Sequence, residues 1–339
     1  MGSQDTLAII VPAYKGRFLS EAVKSILAQT DQRFRLYVCD DQSPENLQAI
    51  INPLIAGTNH LYHKFADNMG AVSLADQWSR CVRLTSEPWV WVFSDDDVME
   101  PECVAAFYAA LEKYQPDTSV YRFNTLSVDE NGRVIRVNQP HPQFESPIQF
   151  AYHRLRNERL SFAPEYLFAR AAFDKAGGFL PLPAAWGSDD ASWMIFSGDK
   201  PIVTIPTARI RWRNSADNIS GQKSTGTMKV DGALGYLQWL LAWSSDPSLH
   251  MPGVDEEVLR LESRKWFQGQ LGHLHRLLKW SEIKSLTPQL SILWNESHLV
   301  VTAILLRFNA WIFFERFCAL TIRPLYRCLR KFFPLHRFT

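Results

Sequence analysis

Short apolar runs alternate with helix-period segments through the first 114 residues of this chain, and that order constrains the fold more than anything else in the sequence. LAIIV (7–11), RLYVCD (35–40), HLYHKF (60–65) and WVWVF (89–93) have the length and bounds of buried strands. In FLSEAVKSILAQ, residues Phe18, Leu19, Ala22, Val23, Ile26 and Leu27 share one helical face. DDQSPENLQAII reads as a turn into a helix, with Ser43 as its cap and Pro44 in its first turn. AVSLADQWSRCVRL (71–84) and PECVAAFYAALEKY (101–114) supply two more helices. Such an order predicts an α/β fold, a doubly wound and mostly parallel sheet with helices on both faces. In sheets of this kind ligands gather at the carboxyl ends of the strands.

One of those ends is unusual. WVWVFSDDDVMEP (89–101) passes from an apolar run straight into Asp95, Asp96 and Asp97. Adjacent carboxylates repel unless something positive shares the cluster. One or two Asp would serve as a solvated turn or helix cap. Three, directly after a buried-type strand, point to a site that holds a cation. Asp40 and Asp41 fall at the end of the second strand in the same way.

The pattern then changes. SVYRFNTLSVDENGRVIRVN reads as a hairpin around Asn131–Gly132, and NQPHPQFESP (138–147) as loop. Residues 160–180 give a strand-like segment, a short helix and a Gly177–Gly178 stop. A second carboxylate pair, Asp189–Asp190, leads a short helix into another strand. From about Asn214 helical, Trp-rich, basic segments dominate, so a catalytic domain over 1–215 and a helical region over 216–339 are expected.

Composition excludes several classes. A net charge of +1 in 339 residues implies no nucleic-acid-binding face. Cys39, Cys81, Cys103, Cys318 and Cys328 are scattered without zinc spacing, as expected of reduced thiols in a cytoplasm. MGSQDTLAIIVPAYKG lacks the pattern of a signal peptide. The 12 Trp and 21 Phe supply either a large core or platforms for a flat ligand such as a sugar. The first strand leads into PAYKGR rather than GxGxxG, and no GxxxxGK[ST] occurs, so phosphates are not held by a glycine-rich nest. The other common solution is a divalent cation, Mg2+ or Mn2+, bridging carboxylates and a diphosphate.

IIVPAYKG, VCDDQSPE, DNMG, FSDDDVMEP, GGF and SDD, in this order over roughly residues 6–215, resemble a family 2 glycosyltransferase of the GT-A fold. The resemblance implies a nucleotide pocket at Pro12, Ala13 and Tyr14, and contacts from Asp40 and Asp41 to base or ribose. Asn68 and Gly70 match its Asn-x-Gly segment. It makes Asp96 the preferred metal ligand, with Asp97 beside it and Asp95 on ribose or metal. It implies Asp190 as general base and Asp189 as a group orienting the acceptor. Two departures stand out: Ser94 replaces a common Asp, and ARIRWRNSADNIS (208–220) holds no His. In that segment Arg211 and Arg213 are either a clasp for the diphosphate or solvent-facing charges.

The implied reaction is inverting transfer of a sugar from a nucleoside diphosphate donor, a UDP-sugar first, to a saccharide or lipid-linked saccharide hydroxyl. Its implied setting is bacterial cell-surface polysaccharide or glycolipid synthesis. The alternatives are an inactive nucleotide-sugar binder and a haloacid dehalogenase-type phosphatase. The latter wants Thr or Val where Met99 stands, and its acidic strand first in the domain. The tail over 297–339 is apolar but broken by Arg307, Asn309, Glu315, Arg316 and Arg323. It has no run of the roughly 18–20 residues a bilayer span needs. It is expected either to lie on an anionic cytoplasmic leaflet or to pack on the catalytic domain or a second subunit, which leaves a homo-oligomer open.

Overall fold

The four apolar runs form strands, and a computed structural model describes residues 7–215, 226–246, 248–249, 251–274 and 278–317. Strands β1 (Leu7–Ala13), β2 (Phe34–Asp40), β3 (His60–Lys64) and β4 (Trp89–Val92) pair in parallel in the order β3-β2-β1-β4. Helices α1 (Leu19–Leu27), α2 (Leu47–Ile55), α3 (Leu74–Arg83) and α4 (Cys103–Tyr114) connect and follow them. Side chains alternate along a strand, so each face takes its own helices. Leu7, Ile9, Val11, Leu36, Val38 and Trp91 join α1, α2 and α4 in one continuous core. Cys39 points to the other side, against Cys81 of α3.

The helices begin two or three residues later than the sequence reading has them at α3 and α4, and α2 differs in its cap. Ser43 does not cap α2; Asn46 does, its side chain accepting from the Ala49 amide at 3.2 Å. The Ser43 hydroxyl instead donates to the Tyr14 carbonyl at 2.7 Å, tying the second strand's exit to that of the first.

Six further strands complete the sheet: β5 (Val98–Met99), β6 (Val120–Val128), β7 (Val134–Val137), β8 (Phe144–Glu145), β9 (Tyr166–Ala169) and β10 (Ile202–Arg213). β9 runs antiparallel between β4 and β6, while β6 and β10 are parallel. Gly132, at φ +76°, turns the expected β6–β7 hairpin. β10 is interrupted: its partner advances from Phe123 to Asn124 while β10 advances from Ile205 to Arg209, so Pro206, Thr207 and Ala208 bulge out. Before the bulge, buried Arg122 holds Glu145 of β8 at 2.6 Å and Thr204 at 3.0 Å. After it, β10 runs beside β5 towards the acidic turn.

Helices α5 (Pro147–Leu155), α6 (Arg170–Ala176) and α7 (Ser188–Ser197) follow in the second half. Phe168, Phe173, Phe179, Trp193 and Phe196 form an aromatic layer there, with Tyr166 stacked on Trp193 at 4.7 Å between centroids.

The expected boundary after residue 215 is replaced by a later one, because α8 (Gly226–Trp243) packs on the short turn Pro183–Ala185. A first compact unit runs to Glu262 and a second begins at Ser263, inside α9 (Glu256–Leu274). The second unit adds α10 (Trp280–Ser285), α11 (Thr287–Trp294) and α12 (His298–Phe317), with Phe267 against Trp294 and with Val301 and Leu305 buried. Among the described residues no helix is long and apolar enough to cross a membrane.

Two glycines test the position of α8. A Cβ on Gly232 would sit 2.3 Å from the Pro183 carbonyl oxygen, whereas one on Gly269 of α9 meets nothing within 4 Å. Gly232→Ala should therefore destabilise the full chain by about 1–3 kcal/mol in urea unfolding, as overpacking does. Gly269→Ala should stabilise its helix by about 0.5–1 kcal/mol. Equal midpoints for the two variants would place α8 outside the first unit.

Candidate active site

The carboxyl ends of β1, β2 and β4 open into one cleft of about 520 Å³. Pro12, Ala13 and Tyr14 line it, and Tyr14 keeps 39 % of its surface exposed. Across from them lie Asp41, Asn68 and Gly70. Asp41 fixes this wall: Oδ1 accepts from the Met69 amide at 3.0 Å and from Arg80 at 2.5 Å, and Oδ2 from the Gly70 amide at 2.8 Å. A Cβ on Gly70 would lie 2.6 Å from Asp41 Oδ2, so only glycine permits the approach. Asn68 Oδ1 accepts from the Ala71 amide at 3.0 Å, closing the turn into α3.

Asp40 does not share this role. It is fully buried, accepting from the Ser43 amide at 2.7 Å and the Tyr62 hydroxyl at 2.5 Å, with Lys64 at 3.5 Å. Neighbours at a strand end point in opposite directions, and Asp40 points into the fold.

The acidic turn divides likewise. Asp95 and Asp96 line the cleft. Asp95 Oδ2 accepts from the amides of Tyr14 at 3.1 Å and Lys15 at 3.3 Å, yet burial keeps its carboxyl above the usual range. Burial, and then the neighbouring Asp95, push Asp96 up to about 7. Asp97 is not a cleft-facing metal ligand: it is fully buried, and its Oδ1 accepts from the Arg213 amide at 2.7 Å. Burial, and then Asp96, raise it well above the carboxylate range.

Arg213 holds the turn rather than a diphosphate. Its guanidinium is completely buried, donates to the carbonyls of Asp96 at 2.7 Å and Glu130 at 2.9 Å, and pairs with Glu21 at 2.7 Å. Arg211 does not line the cleft either; it is part exposed and 3.9 Å from Glu100. Residues 216–220 of the same segment lie outside the described residues.

Asp189 and Asp190 open α7 and face different surroundings. Both oxygens of Asp190 are engaged, Oδ2 by Arg154 at 2.8 Å and Oδ1 by the Ser161 hydroxyl at 2.8 Å. Asp189 is less buried, and desolvation followed by the charge of Asp190 pushes it up to about 7. Neither lines the cleft, which reaches Ala163 and Ala184 on their approach.

Sequence reasoning missed several groups. Lys15 and Arg17 bring cations to the cleft, with Arg17 paired to Glu130 at 2.7 Å; their place directly after Pro-Ala-Tyr was the available signal. Trp78, set edge-on to Phe179, and Trp212, stacked on Phe162 at 4.2 Å, give it two indole walls. Arg154 and Ser161 carry no local signal at all, since only the fold brings them to Asp190.

A mixed sheet with helices on both faces, and an acidic turn at its carboxyl edge beside an Asp-held loop, defines a GT-A-type α/β protein. The sequence profile described as "Glycosyl transferase family 2" matches residues 8–175, and the chain belongs to that family. Glycosyltransferase GlyG of Streptococcus pneumoniae is 23 % identical over 128 residues, 38 % of this chain and 41 % of that protein, less than half its length. Residues 1–349 of S. aureus TarS in complex with UDP-GlcNAc superpose with a TM-score of 0.52 at 13 % identity, covering 85 % of this chain and 89 % of that one. The mannosyltransferase PcManGT of Pyrobaculum calidifontis, in complex with GDP-Man and Mn2+, gives 0.51 at 12 % identity over 98 % and 88 %. These likenesses define the shared fold.

The two arginines of β10 should behave differently. Arg213→Gln should lower stability by about 3–5 kcal/mol, because it strands buried polar partners. Arg211→Gln should leave both thermal unfolding and nucleoside diphosphate affinity unchanged. Loss of nucleotide binding in the Arg211 variant, measured by calorimetry, would restore the clasp.

Proposed function

We propose that this chain transfers a sugar, with inversion, from a nucleoside diphosphate donor to an acceptor hydroxyl. The observation that carries this reading is the pair of cleft-facing carboxylates, Asp95 and Asp96, at the end of β4, beside Tyr14 and lining one cleft with the Asp41-held loop. Family membership supports it, as do the UDP-GlcNAc and GDP-Man bound by the two structural neighbours. A UDP-sugar is the first donor to test.

A divalent ion fits this donor set. Asp96 is driven towards neutrality by burial and then by the charge of Asp95, a cost that a cation removes. Among the described residues no three His, Cys, Asp or Glu converge. Mg2+ and Mn2+ suit such sites, keeping waters and taking phosphate oxygens. When bound, the ion would neutralise charge on the departing diphosphate. Asp96 holds it in this reading and Asp95 assists, while the Lys15 ammonium adds charge on the same side.

The acceptor is a saccharide, free or lipid-linked, received between the indoles of Trp78 and Trp212. Its oxygen attacks the anomeric carbon from the face opposite the diphosphate, the sugar–phosphate bond breaks, and its proton passes to a carboxylate. In this reading the roles within the second acidic pair are exchanged, and the hydrogen bonds of Asp190 support the exchange. Asp190 is committed to Arg154 and Ser161, so Asp189 takes the proton and Asp190 is its anchor.

Asp96→Asn should weaken UDP binding measured with Mn2+ and change it little without metal. Equal UDP affinity of the unaltered chain with and without a chelator would remove the ion from the proposal.

Asp189→Asn should cut turnover by about two to four orders of magnitude with donor affinity kept. A base must be ionised to accept a proton, so kcat should climb with pH through an inflection at about 7 and level off above it. Asp190→Asn removes the repelling charge and frees Arg154, so in any residual activity the inflection should move to lower pH. A pH profile that stays in place in that variant would return the base to Asp190 or to another residue.

A further inference from the structure

Helix α12 is apolar on two opposite sides. Val301 and Leu305 are buried in the second unit. Leu299, Ala303, Leu306, Ala310 and Phe314 fall on the other side, at intervals of four, three, four and four residues that keep them in one stripe of an α-helix. All five are exposed, Leu299 at 83 % and Phe314 at 63 %. The outer side of a surface helix ordinarily carries polar residues, and a helix apolar all round is one that something covers.

Lipid and a second copy of the chain both suit an apolar row, and charge decides between them. Arg307 borders the stripe and is exposed. From residue 298 to the end, Arg307, Arg316, Arg323, Arg327, Arg330, Lys331 and Arg337 face a single acid, Glu315. Residues 318–339 contain no Asp or Glu. Side-by-side pairing of two copies through this row would bring like charges together, at a cost. An anionic bilayer surface answers the apolar row and the cations at once, because basic residues are drawn to anionic headgroups while apolar side chains enter the acyl boundary.

We propose that the outer face of α12 docks this chain on an anionic lipid surface. Leu299, Leu306 and Phe314 enter the headgroup–acyl boundary, and the basic residues that follow engage the headgroups. The docking is independent of the donor and of the base assigned above.

Flotation of the full chain tests it, using vesicles of phosphatidylcholine mixed with phosphatidylglycerol against vesicles of phosphatidylcholine alone. Co-flotation is expected only with phosphatidylglycerol, and it should weaken as salt is raised. Leu306→Asp with Phe314→Asp should abolish it while leaving circular dichroism and UDP affinity unchanged. Arg330→Gln with Lys331→Gln should lower partitioning by roughly 25-fold, about fivefold per basic residue. No flotation of the unaltered chain, equal flotation on both vesicles, or undiminished flotation of the Leu306 and Phe314 variant overturns the proposal. A dimer in sedimentation velocity that this variant dissolves, with no vesicle binding, assigns the face to a second copy.

Discussion

Asp95, Asp96 and Asp97 stand together at the end of a buried strand because Arg213 reaches them from β10. Its guanidinium is removed from water and its positive charge is shared among the Asp96 carbonyl, the Glu130 carbonyl and Glu21. Its amide takes Asp97 Oδ1, and its guanidinium lies over Phe18 at 4.4 Å. A buried charge of this kind is stable only when its hydrogen-bonding capacity is met. The same contacts fix which carboxylates turn outward. With Asp97 drawn in, Asp95 is set against the amides of Tyr14 and Lys15, and Asp96 is left at the cleft.

A common arrangement runs through the three acidic groups. Asp40, Asp97 and Asp190 are each bound into the fold by specific donors. Their neighbours Asp41 and Asp96 line the cleft, and Asp189 is the less buried member of its pair. Sequence neighbours on a strand end face opposite ways, and successive residues in a helical turn diverge by about a quarter turn. One member of each group can therefore build the site while the next builds the wall behind it. In the last pair the anchored member also acts electrostatically, since after burial the charge of Asp190 raises the Asp189 carboxyl.

Much of this was legible in the sequence. The strands and helices of the first 114 residues follow directly from apolar periodicity, and the Asn131–Gly132 turn from its chemistry. Periodicity could not show which member of an acidic pair faces inward, because that depends on where the strand stops. The part of Arg213 was hidden for a similar reason: strand alternation groups it with Arg211, while the turn that captures it lies more than a hundred residues away. Asn46 rather than Ser43 is the cap because α2 begins only at Leu47, while the Ser43 hydroxyl accepts from the Glu45 amide and donates to the Tyr14 carbonyl. The compact unit runs past residue 215 because a change in composition is not a change in packing, and α8 packs against Pro183. Arg154 and Ser161 reach Asp190 only through folding.

The bulge in β10 has a consequence for how this chain can vary. Pro206 and Thr207 are exposed and look like the kind of position where length changes pass unnoticed. Yet the number of residues there sets the phase of everything after it. Facing direction in a strand has a period of two, so removing one residue would exchange the sides of Trp212 and Arg213. The indole would then point at the acidic turn and the guanidinium at the cleft. A segment whose outer side chains touch little thus has a count that matters more than its residue types.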